Sequence, residues 1–205
     1  MQRTDFHAMP CSIARTLAVV GEAWTPLILR DVVFGLTKFD EIQRDLGVAT
    51  NVLTDRLTTL VEHELLSREP YQHRPLRYRY ELTAKGADLL PVLLSLMKWG
   101  DRWTAEPAGP PVTIVHRRCG QPTEPLMVCS ACKGPVHAGE VAAKGGPGGR
   151  RGPGAYLLPG WLAAPGRPDA RDAAPPPRVT SVGRFPTDRE ATSGARSGAT
   201  GSVSR

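Results

Sequence analysis

The chain has 205 residues and a formal net charge of +6, and that charge is carried entirely by its second half. Residues 1–104 contain thirteen basic and thirteen acidic side chains, whereas residues 105–205 contain thirteen and seven, with 31 of the 41 glycines and prolines. The overall basicity therefore belongs to a low-complexity region and gives little support to a basic DNA-binding domain.

Three further features favour a cytoplasmic protein over a secreted or membrane-spanning one. The first eleven residues lack the apolar core of a signal peptide, and the longest apolar run, residues 89–97, is short and contains Pro91. The four cysteines are not arranged as a disulfide framework. We expect a cytoplasmic protein.

Two helices are predicted near the amino terminus. Residues 11–20 carry apolar side chains at helical spacing and are followed by Gly21. A second helix is predicted to start at Thr25, which would cap it, with Pro26 at the first helical position. Because residues 27–33 are mostly apolar, this second helix should be largely buried and should support the helices that come after it in the chain.

The stretch from Thr37 to Leu66 is typical of two short helices joined by a tight turn. Thr37 can cap the first helix, and Gly47 stands where a left-handed residue would end it. Thr50 or Asn51 can then cap the second helix. This pattern predicts a helix-turn-helix, although an ordinary helical hairpin with a solvated outer face has the same pattern.

The second helix of this pair has a buried stripe and a polar face. Leu53, Leu57, Leu60 and Val61 recur at helical spacing, and the remaining face is rich in small or hydrogen-bonding side chains suited to groove edges and phosphates, Thr58 among them. The residues predicted to contact DNA from the two helices are Gln43, Arg44, Thr50, Asn51, Thr54, Asp55 and Arg56.

A basic hairpin is predicted after the helix pair. Residues 67–70 and 77–82 are short extended runs, the second with a period of two, and residues 71–75 form the turn between them. Residues 67–80 have a net charge of +3, from Arg68, Glu69, Arg74, Arg77 and Arg79. We expect this wing to lie along the phosphate backbone, with contacts from Arg74, Arg77 and Arg79.

The last helix of this region suggests self-association. Residues 82–86 leave the wing and cap a long helix, whose apolar positions between Leu89 and Trp103 are wider than one stripe. Such a helix at the end of a small domain needs a second surface to cover it, so we expect a homodimer. A symmetric dimer would place its two recognition helices about one duplex turn, roughly 34 Å, apart or a multiple of that distance.

Four motifs, in this order, resemble the HxlR-type winged-helix transcription regulators, which are related to the MarR class: CSIARTLAVVGEAWTPLILRD, KFDEIQRDLGVATNVLTDRL, RYRYELTAKG and PVLLSLMKWGDRW. The resemblance covers residues 9–104 and implies a mainly α fold with a small β-hairpin wing (α+β), without catalytic activity. It also implies a dimer through the first and last helices, with the helix that begins near Thr50 in the major groove of double-stranded DNA. Glu64 and the Glu22-Ala23 pair depart from the common family pattern.

Cys11 is a candidate redox sensor. It lies at the predicted start of the first helix, where free N–H groups and the helix dipole favour a thiolate. In some members of the family that the chain resembles, a cysteine at this position responds to oxidants. The alternative is an unreactive cysteine packed at the dimer interface.

Residues 112–137 are predicted to form a small zinc-ribbon-like hairpin. His116 and Cys119 form one ligand pair and Cys129 and Cys132 another, so the four could hold one structural zinc tetrahedrally. His137 could replace His116 as the fourth ligand. Residues 112–115 and 125–128 are the predicted strands. A redox CxxC and an unligated hairpin remain alternatives.

Residues 138–205 offer no periodic apolar face and are predicted to be disordered. The whole pattern predicts a transcription regulator that binds inverted-repeat DNA as a dimeric repressor and does not interact with a membrane. An alternative is a zinc-ribbon protein whose winged helix binds a protein partner. No catalytic constellation occurs at a spacing that chemistry would require, so an enzyme is not expected.

Overall fold

The computed structural model describes residues 5–137, 139–150 and 152–155. It confirms the predicted fold class, because the helices are accompanied by a small antiparallel hairpin in a winged helix-turn-helix. The helices are α1 Ser12–Val20, α2 Trp24–Val33, α3 Phe39–Leu46, α4 Thr50–Glu62, α5 Ala84–Ala87 and α6 Leu90–Trp103. The strands are β1 Leu66–His73, β2 Leu76–Leu82, β3 Val115–His116 and β4 Gln121–Pro122.

The hydrophobic core lies where α2, α3 and α4 meet the base of the wing. Ile28 of α2 and Ile42 of α3 are fully buried there. The predicted stripe of α4 is confirmed at Leu53, Leu57 and Leu60, while Val61 lies at the edge of the core and is only partly buried. Burying one face of α4 in this way turns its opposite face to solvent.

The predicted start of α2 is wrong. The helix begins at Trp24, and Thr25 lies inside the first turn with only 2% of its surface exposed, so it does not cap the helix. The carboxylate of Glu22 takes over part of that role, because it accepts a hydrogen bond of 3.1 Å from the backbone N–H of Trp24. A side chain from the preceding turn therefore replaces the threonine cap.

The predicted cap of α3 is also displaced, since the helix begins at Phe39 and its N-cap is Lys38. Glu41 reaches back and accepts hydrogen bonds from the backbone N–H groups of Lys38 (3.1 Å) and Thr37 (3.3 Å). The side-chain bond to Lys38 and these backbone bonds lower the pKa of Glu41. Thr37 instead uses its carbonyl to accept the N–H of Tyr80 at 2.7 Å, which ties the wing to the helix pair.

The turn between α3 and α4 contains one confirmed prediction and one wrong one. Gly47 has a φ of +62° and caps α3 in the left-handed conformation, as predicted. The N-cap of α4 is Ala49, so Thr50 and Asn51 are already helical and neither acts as its cap. The side chains of both residues are therefore not occupied by capping.

The wing is longer and its turn tighter than predicted. β1 and β2 pair antiparallel from Leu66 opposite Leu82 to His73 opposite Leu76, so only Arg74 and Pro75 form the loop. Residues 71–73 thus belong to a strand, and a bulge between Pro70 and Gln72 adjusts the register.

The single long helix predicted after the wing is divided in two. α5 is short, and Thr83 caps it by accepting the N–H of Gly86 at 3.0 Å. α6 then begins at Leu90. The reason is Pro91, which lacks an N–H and is tolerated only in a first turn.

The predicted strands 112–115 and 125–128 do not pair with each other. β3 pairs with β4, and Val128 forms an isolated bridge with Pro135, so the segment consists of two small hairpins that each close on themselves. Most of the predicted disordered segment, 138–205, lies outside the described residues. Among the residues described, no helix has the length and apolarity needed to cross a membrane.

Gly86 fixes the approach of α5 to the end of α4. A Cβ atom at this position would lie 2.1 Å from the carbonyl oxygen of Leu65 and 3.1 Å from a methyl carbon of Leu82. Neither the backbone carbonyl nor the α5 turn can move without disturbing the base of the wing. This close approach therefore requires glycine.

We expect Gly86→Ala to lower the free energy of unfolding by about 2 kcal/mol or more, because the new methyl group overlaps a backbone oxygen. The measurement is chemical denaturation followed by circular dichroism. Ala87→Ser is the matched control, since Ala87 is exposed in the same helix and its change should stay within about 0.5 kcal/mol. Equal stabilities of the two variants would contradict the close packing.

Candidate nucleic-acid interface

A side-chain latch holds the turn between α3 and α4. The amide of Gln43 donates hydrogen bonds to the hydroxyl of Thr50 at 2.8 Å and to the carbonyl of Val48 at 3.4 Å. Both Gln43 and Thr50 were predicted to contact DNA, and the structure places them in contact with each other. Arg44 lies exposed on the next position of α3. The latch fixes the angle between the two helices.

The solvent face of α4 presents exposed side chains that include Asn51, Thr54, Asp55 and Thr58. The hydroxyl of Thr54 donates to the carbonyl of Thr50, and that of Thr58 donates to the carbonyl of Thr54, both at 2.8 Å. The two hydroxyls are thereby oriented and keep lone pairs that can accept bonds from base amino groups. In the described part of the chain the Asn51 amide makes no hydrogen bond, and an amide of this kind suits bidentate recognition of adenine.

Arg56 does not share this open face. It lies on the flank of α4 with 22% of its side chain exposed, hydrogen-bonded to Asp55 and 3.8 Å from Glu22. Its Nε atom is buried and has no hydrogen-bond partner among the described residues. In the described residues these two carboxylates are the charged neighbours of Arg56, and its contact with DNA stays a prediction.

The wing arginines fall into two groups. Arg74 and Arg77 are exposed, and neither forms an ion pair in the described structure. Arg79 lies 3.1 Å from each of the Glu69 and Glu81 carboxylates, and the hydrogen bond to Glu69 and the charge of Glu81 raise its pKa. Because two carboxylates already neutralise Arg79, Arg74 and Arg77 are better placed to meet a phosphate.

Arg68 is a wing residue that was counted in the local charge but not predicted as a contact. Its guanidinium lies over the ring of Tyr78, 4.9 Å from the ring centroid, and its side chain is exposed. The β register places Arg68 opposite Tyr80, on the face opposite the one that carries Glu69 and Arg79. Side chains alternate between the two faces of a strand. If the pairing of β1 with β2 had been known, this alternation would have shown that Arg68 adds a basic side chain to the wing.

Arg30, which pairs with the buried carboxylate of Asp31, connects α2 to α3. Asp31 is 1% exposed and pairs with Arg30 at 2.6 Å, and Arg30 also reaches Asp45 of α3 at 2.9 Å. Burial raises the pKa of Asp31, and the adjacent guanidinium only partly opposes this. The bridge joins α2 to α3 and so helps to set the position of the helix pair.

Two helices carry a large exposed apolar surface. In α6, Leu96, Trp99 and Trp103 are 57%, 61% and 57% exposed, and α6 has no buried residue. In α1, Ile13 and Leu17 are exposed as well. Apolar surface of this kind on a small domain marks a binding surface. It lies on the two helices predicted to form a dimer.

Cys11 is partly buried and is the N-cap of α1, as predicted. Its side chain makes no capping hydrogen bond. The position is one residue from the start of the helix that carries Ile13 and Leu17. Its redox role stays a prediction.

The four candidate zinc ligands form two separate pairs. Nδ1 of His116 lies 3.3 Å from Sγ of Cys119. Cys129 accepts hydrogen bonds from the backbone N–H groups of Cys132 and Ala131, which lower its pKa. The described residues contain no cluster of three or more potential metal ligands, so the two pairs do not meet around one point.

Comparison with protein families gives a match to the HxlR-like helix-turn-helix model over residues 19–108. The chain is 41% identical over 137 residues to an HTH-type transcriptional regulator of Mycobacterium bovis, covering 67% of this chain and 87% of that protein. It is 33% identical over 94 residues to an HTH-type transcriptional regulator of a Synechocystis strain, covering 45% and 70%. A 137-residue match necessarily extends past residue 108, so the similarity to the mycobacterial protein is not confined to the helix-turn-helix.

Among solved structures, the chain resembles PA1607, a candidate transcription factor, with a TM-score of 0.62 and 36% identity. The likeness covers 68% of this chain and 98% of that protein. Similarity in fold and sequence thus extends over nearly the whole of that solved chain.

The geometry predicts different roles in DNA binding for the exposed residues of α4 and for those of the wing. Arg77→Ala should weaken binding to all DNA sequences about equally, because an exposed arginine on the wing is expected to contact a phosphate. The slope of log affinity against log salt concentration should fall by about one, since one counterion fewer is released. Asn51→Ala should cost about 1–3 kcal/mol on a preferred sequence and little on random DNA. Gel-shift titrations at several salt concentrations measure both effects.

A third variant, Arg56→Ala, can be compared with Arg77→Ala and Asn51→Ala in the same DNA-binding assay. Since Arg56 lies on the flank of α4, its loss should weaken binding without changing which bases are preferred. A changed base preference in Arg56→Ala, or an unchanged one in Asn51→Ala, would contradict this division of roles.

Proposed function

The chain belongs to the HxlR-like helix-turn-helix family and is a transcriptional regulator with a helix-turn-helix DNA-binding domain, and we propose that it acts as a dimeric repressor on an inverted-repeat operator. The family and its relatives are transcriptional regulators, which are typically not enzymes. The proposal concerns the assembly, the operator symmetry and the direction of regulation.

One observation supports the proposed mode of DNA recognition above the others. The leucine stripe of α4 is buried, and the opposite face presents exposed hydrogen-bonding side chains on a single helix. An α-helix with this polarity fits the major groove, where each base pair has a distinct pattern of donors and acceptors. The exposed Arg74 and Arg77 at the wing tip would then lie along the adjacent phosphates.

The exposed apolar surface of α1 and α6 supports a homodimer. A second copy of the chain offers the same apolar surface, and a two-fold axis brings identical patches together. In such a dimer the two α4 helices would be related by the same axis, so a symmetric operator is expected from the symmetry of the protein. The half-sites should be separated by about one helical turn of DNA, roughly 34 Å, or by a multiple of it.

Repression is proposed over activation because it requires only that the protein bind the promoter. A bound dimer can exclude polymerase from a promoter by occupying it, without a surface that contacts polymerase. Transcription from the operator promoter should therefore rise when the gene for this protein is deleted. A fall in transcription would instead indicate an activator.

The dimer can be tested with a charged substitution in the exposed apolar face. We expect the double variant Leu96→Glu, Trp99→Glu to sediment as a monomer and to lose about tenfold or more in operator affinity, because two carboxylates cannot be desolvated in an apolar interface. Leu126→Glu is the control, since Leu126 is equally an exposed leucine but lies outside both helices. A wild-type protein that sediments as a monomer would contradict the dimer.

The operator itself can be sought in the DNA upstream of the chain's own gene. Hydroxyl-radical footprinting should show two protected patches related by a dyad. If folded protein protects no DNA there or in a genome-wide selection, the winged helix would have to bind a protein partner instead.

A redox response of this regulator would act through Cys11, because it is partly buried at the start of one of the proposed dimer helices. Diamide should then weaken operator binding by wild-type protein and leave Cys11→Ser unaffected. Ser12→Ala is the control, since Ser12 is an exposed neighbour of Cys11 without a thiol, and this variant should retain the response. An oxidant effect of the same size in Cys11→Ser would exclude Cys11 as the sensor.

A further inference from the structure

Residues 112–137 form their turns and short strands without a hydrophobic core. None of their side chains is buried, and Leu126 and Met127 are 77% and 70% exposed. A segment this short cannot hold a defined fold by apolar burial, and small modules of this kind are cross-linked by disulfides or by a metal. The cysteines of this segment are all free thiols.

The first half of the segment is a tight knuckle that carries a ligand pair. The N–H groups of Cys119 and Gly120 donate to the carbonyl of His116 at 3.1 and 2.8 Å. Gly120 has a φ of +70°, which turns the chain back into β4. As a result the imidazole of His116 and the sulfur of Cys119 lie side by side, 3.3 Å apart.

The second half repeats this design. The N–H of Cys129 donates to the carbonyl of Gly134 at 2.8 Å, and the N–H of Lys133 donates to the carbonyl of Cys129 at 2.9 Å. Backbone N–H groups of Ala131 and Cys132 point at the Cys129 sulfur. Lys133 has a φ of +61°, so here too a left-handed residue directly follows the second ligand. Two consecutive knuckles with the same ligand spacing are an arrangement that a metal can join.

The linker between the knuckles is held at its middle. The ammonium of Lys98 on α6 lies 3.0 Å from the Glu124 carboxylate and donates to the carbonyl of Pro125 at 3.2 Å. Cys119 and Cys129 lie five and four residues from this anchor. A fully extended chain of five residues spans at most about 18 Å, so each knuckle stays within about that distance of the anchor.

We propose that His116, Cys119, Cys129 and Cys132 bind one zinc ion that joins the two knuckles and fixes the module against α6. Three sulfurs and one imidazole match the tetrahedral preference of structural zinc, and the thiols release their protons as the metal binds. In the described residues the ligands remain two pairs, and the metal supplies the link between them. His116 is preferred to His137 because its ring already lies beside the sulfur of Cys119.

The test uses the full-length chain without an affinity tag, reduced, loaded with zinc and freed of excess metal by gel filtration. We expect about one zinc per chain by mass spectrometry of the metal. Cobalt(II) titrated into the metal-free protein should give the visible and sulfur-to-metal absorption bands of a tetrahedral thiolate site, and one equivalent of zinc should abolish them. The cobalt titration needs no variant, so it does not depend on whether a mutant folds.

Variants then assign the ligands. Cys129→Ser and His116→Ala should lose most of the bound zinc, while the controls Cys11→Ser and His137→Ala should keep it. Less than about half an equivalent of zinc in the loaded wild type, or cobalt spectra without thiolate bands, would overturn the site. Full zinc retention in Cys129→Ser would overturn it as well. Loss of zinc in His137→Ala but not in His116→Ala would overturn the assignment of the fourth ligand.

Discussion

The burial of one face of α4 determines most of what this protein can do. Leu53, Leu57 and Leu60 enter a core formed with Ile28 and Ile42, and each is at most 1% exposed. Every fully buried side chain of this size contributes about 1.5–3 kcal/mol relative to exposure, so rotation of the helix about its axis would be costly. The polar residues at the other positions are therefore held outward.

Connections around α4 transfer this orientation to the neighbouring elements. The Gln43 to Thr50 bond fixes the turn from α3, and Arg30 joins α2 to Asp45. The Thr37 carbonyl binds the backbone of β2 in the wing. A core of modest size thus positions both the helix that would enter the groove and the hairpin that would lie along the phosphates. The same core leaves Leu96, Trp99 and Trp103 of α6 exposed.

Periodicity and glycine placement predicted the elements that depend on local sequence. The α4 stripe and the left-handed Gly47 result from hydrophobic spacing and backbone sterics, and both are confirmed. The helix starts were missed because the groups that bind the first N–H atoms, Glu22 and Glu41, come from outside the predicted cap positions. Local propensity cannot show which of several nearby acceptors a free N–H will use.

The helix pair and the wing that carry the candidate residues were predicted, but the contacts of the individual side chains were not. Arg56 and Arg79 are basic in the sequence, yet Glu22, which is distant along the chain, lies beside Arg56, and Glu69 of the paired strand lies beside Arg79. Those partners depend on tertiary packing and on strand register, and neither is readable from composition or spacing. The position of Arg68 over the ring of Tyr78 likewise became clear only from the pairing of the two strands.

Hydrogen–deuterium exchange of the full-length chain with and without operator DNA tests the central claim most directly. If α4 and the wing tip read DNA, exchange should slow in peptides covering residues 50–58 and 72–78 and stay unchanged in residues 112–137. The basic second half of the chain offers the competing explanation, because it carries the whole net charge. Protection confined to residues after 105, with none in α4, would contradict the account.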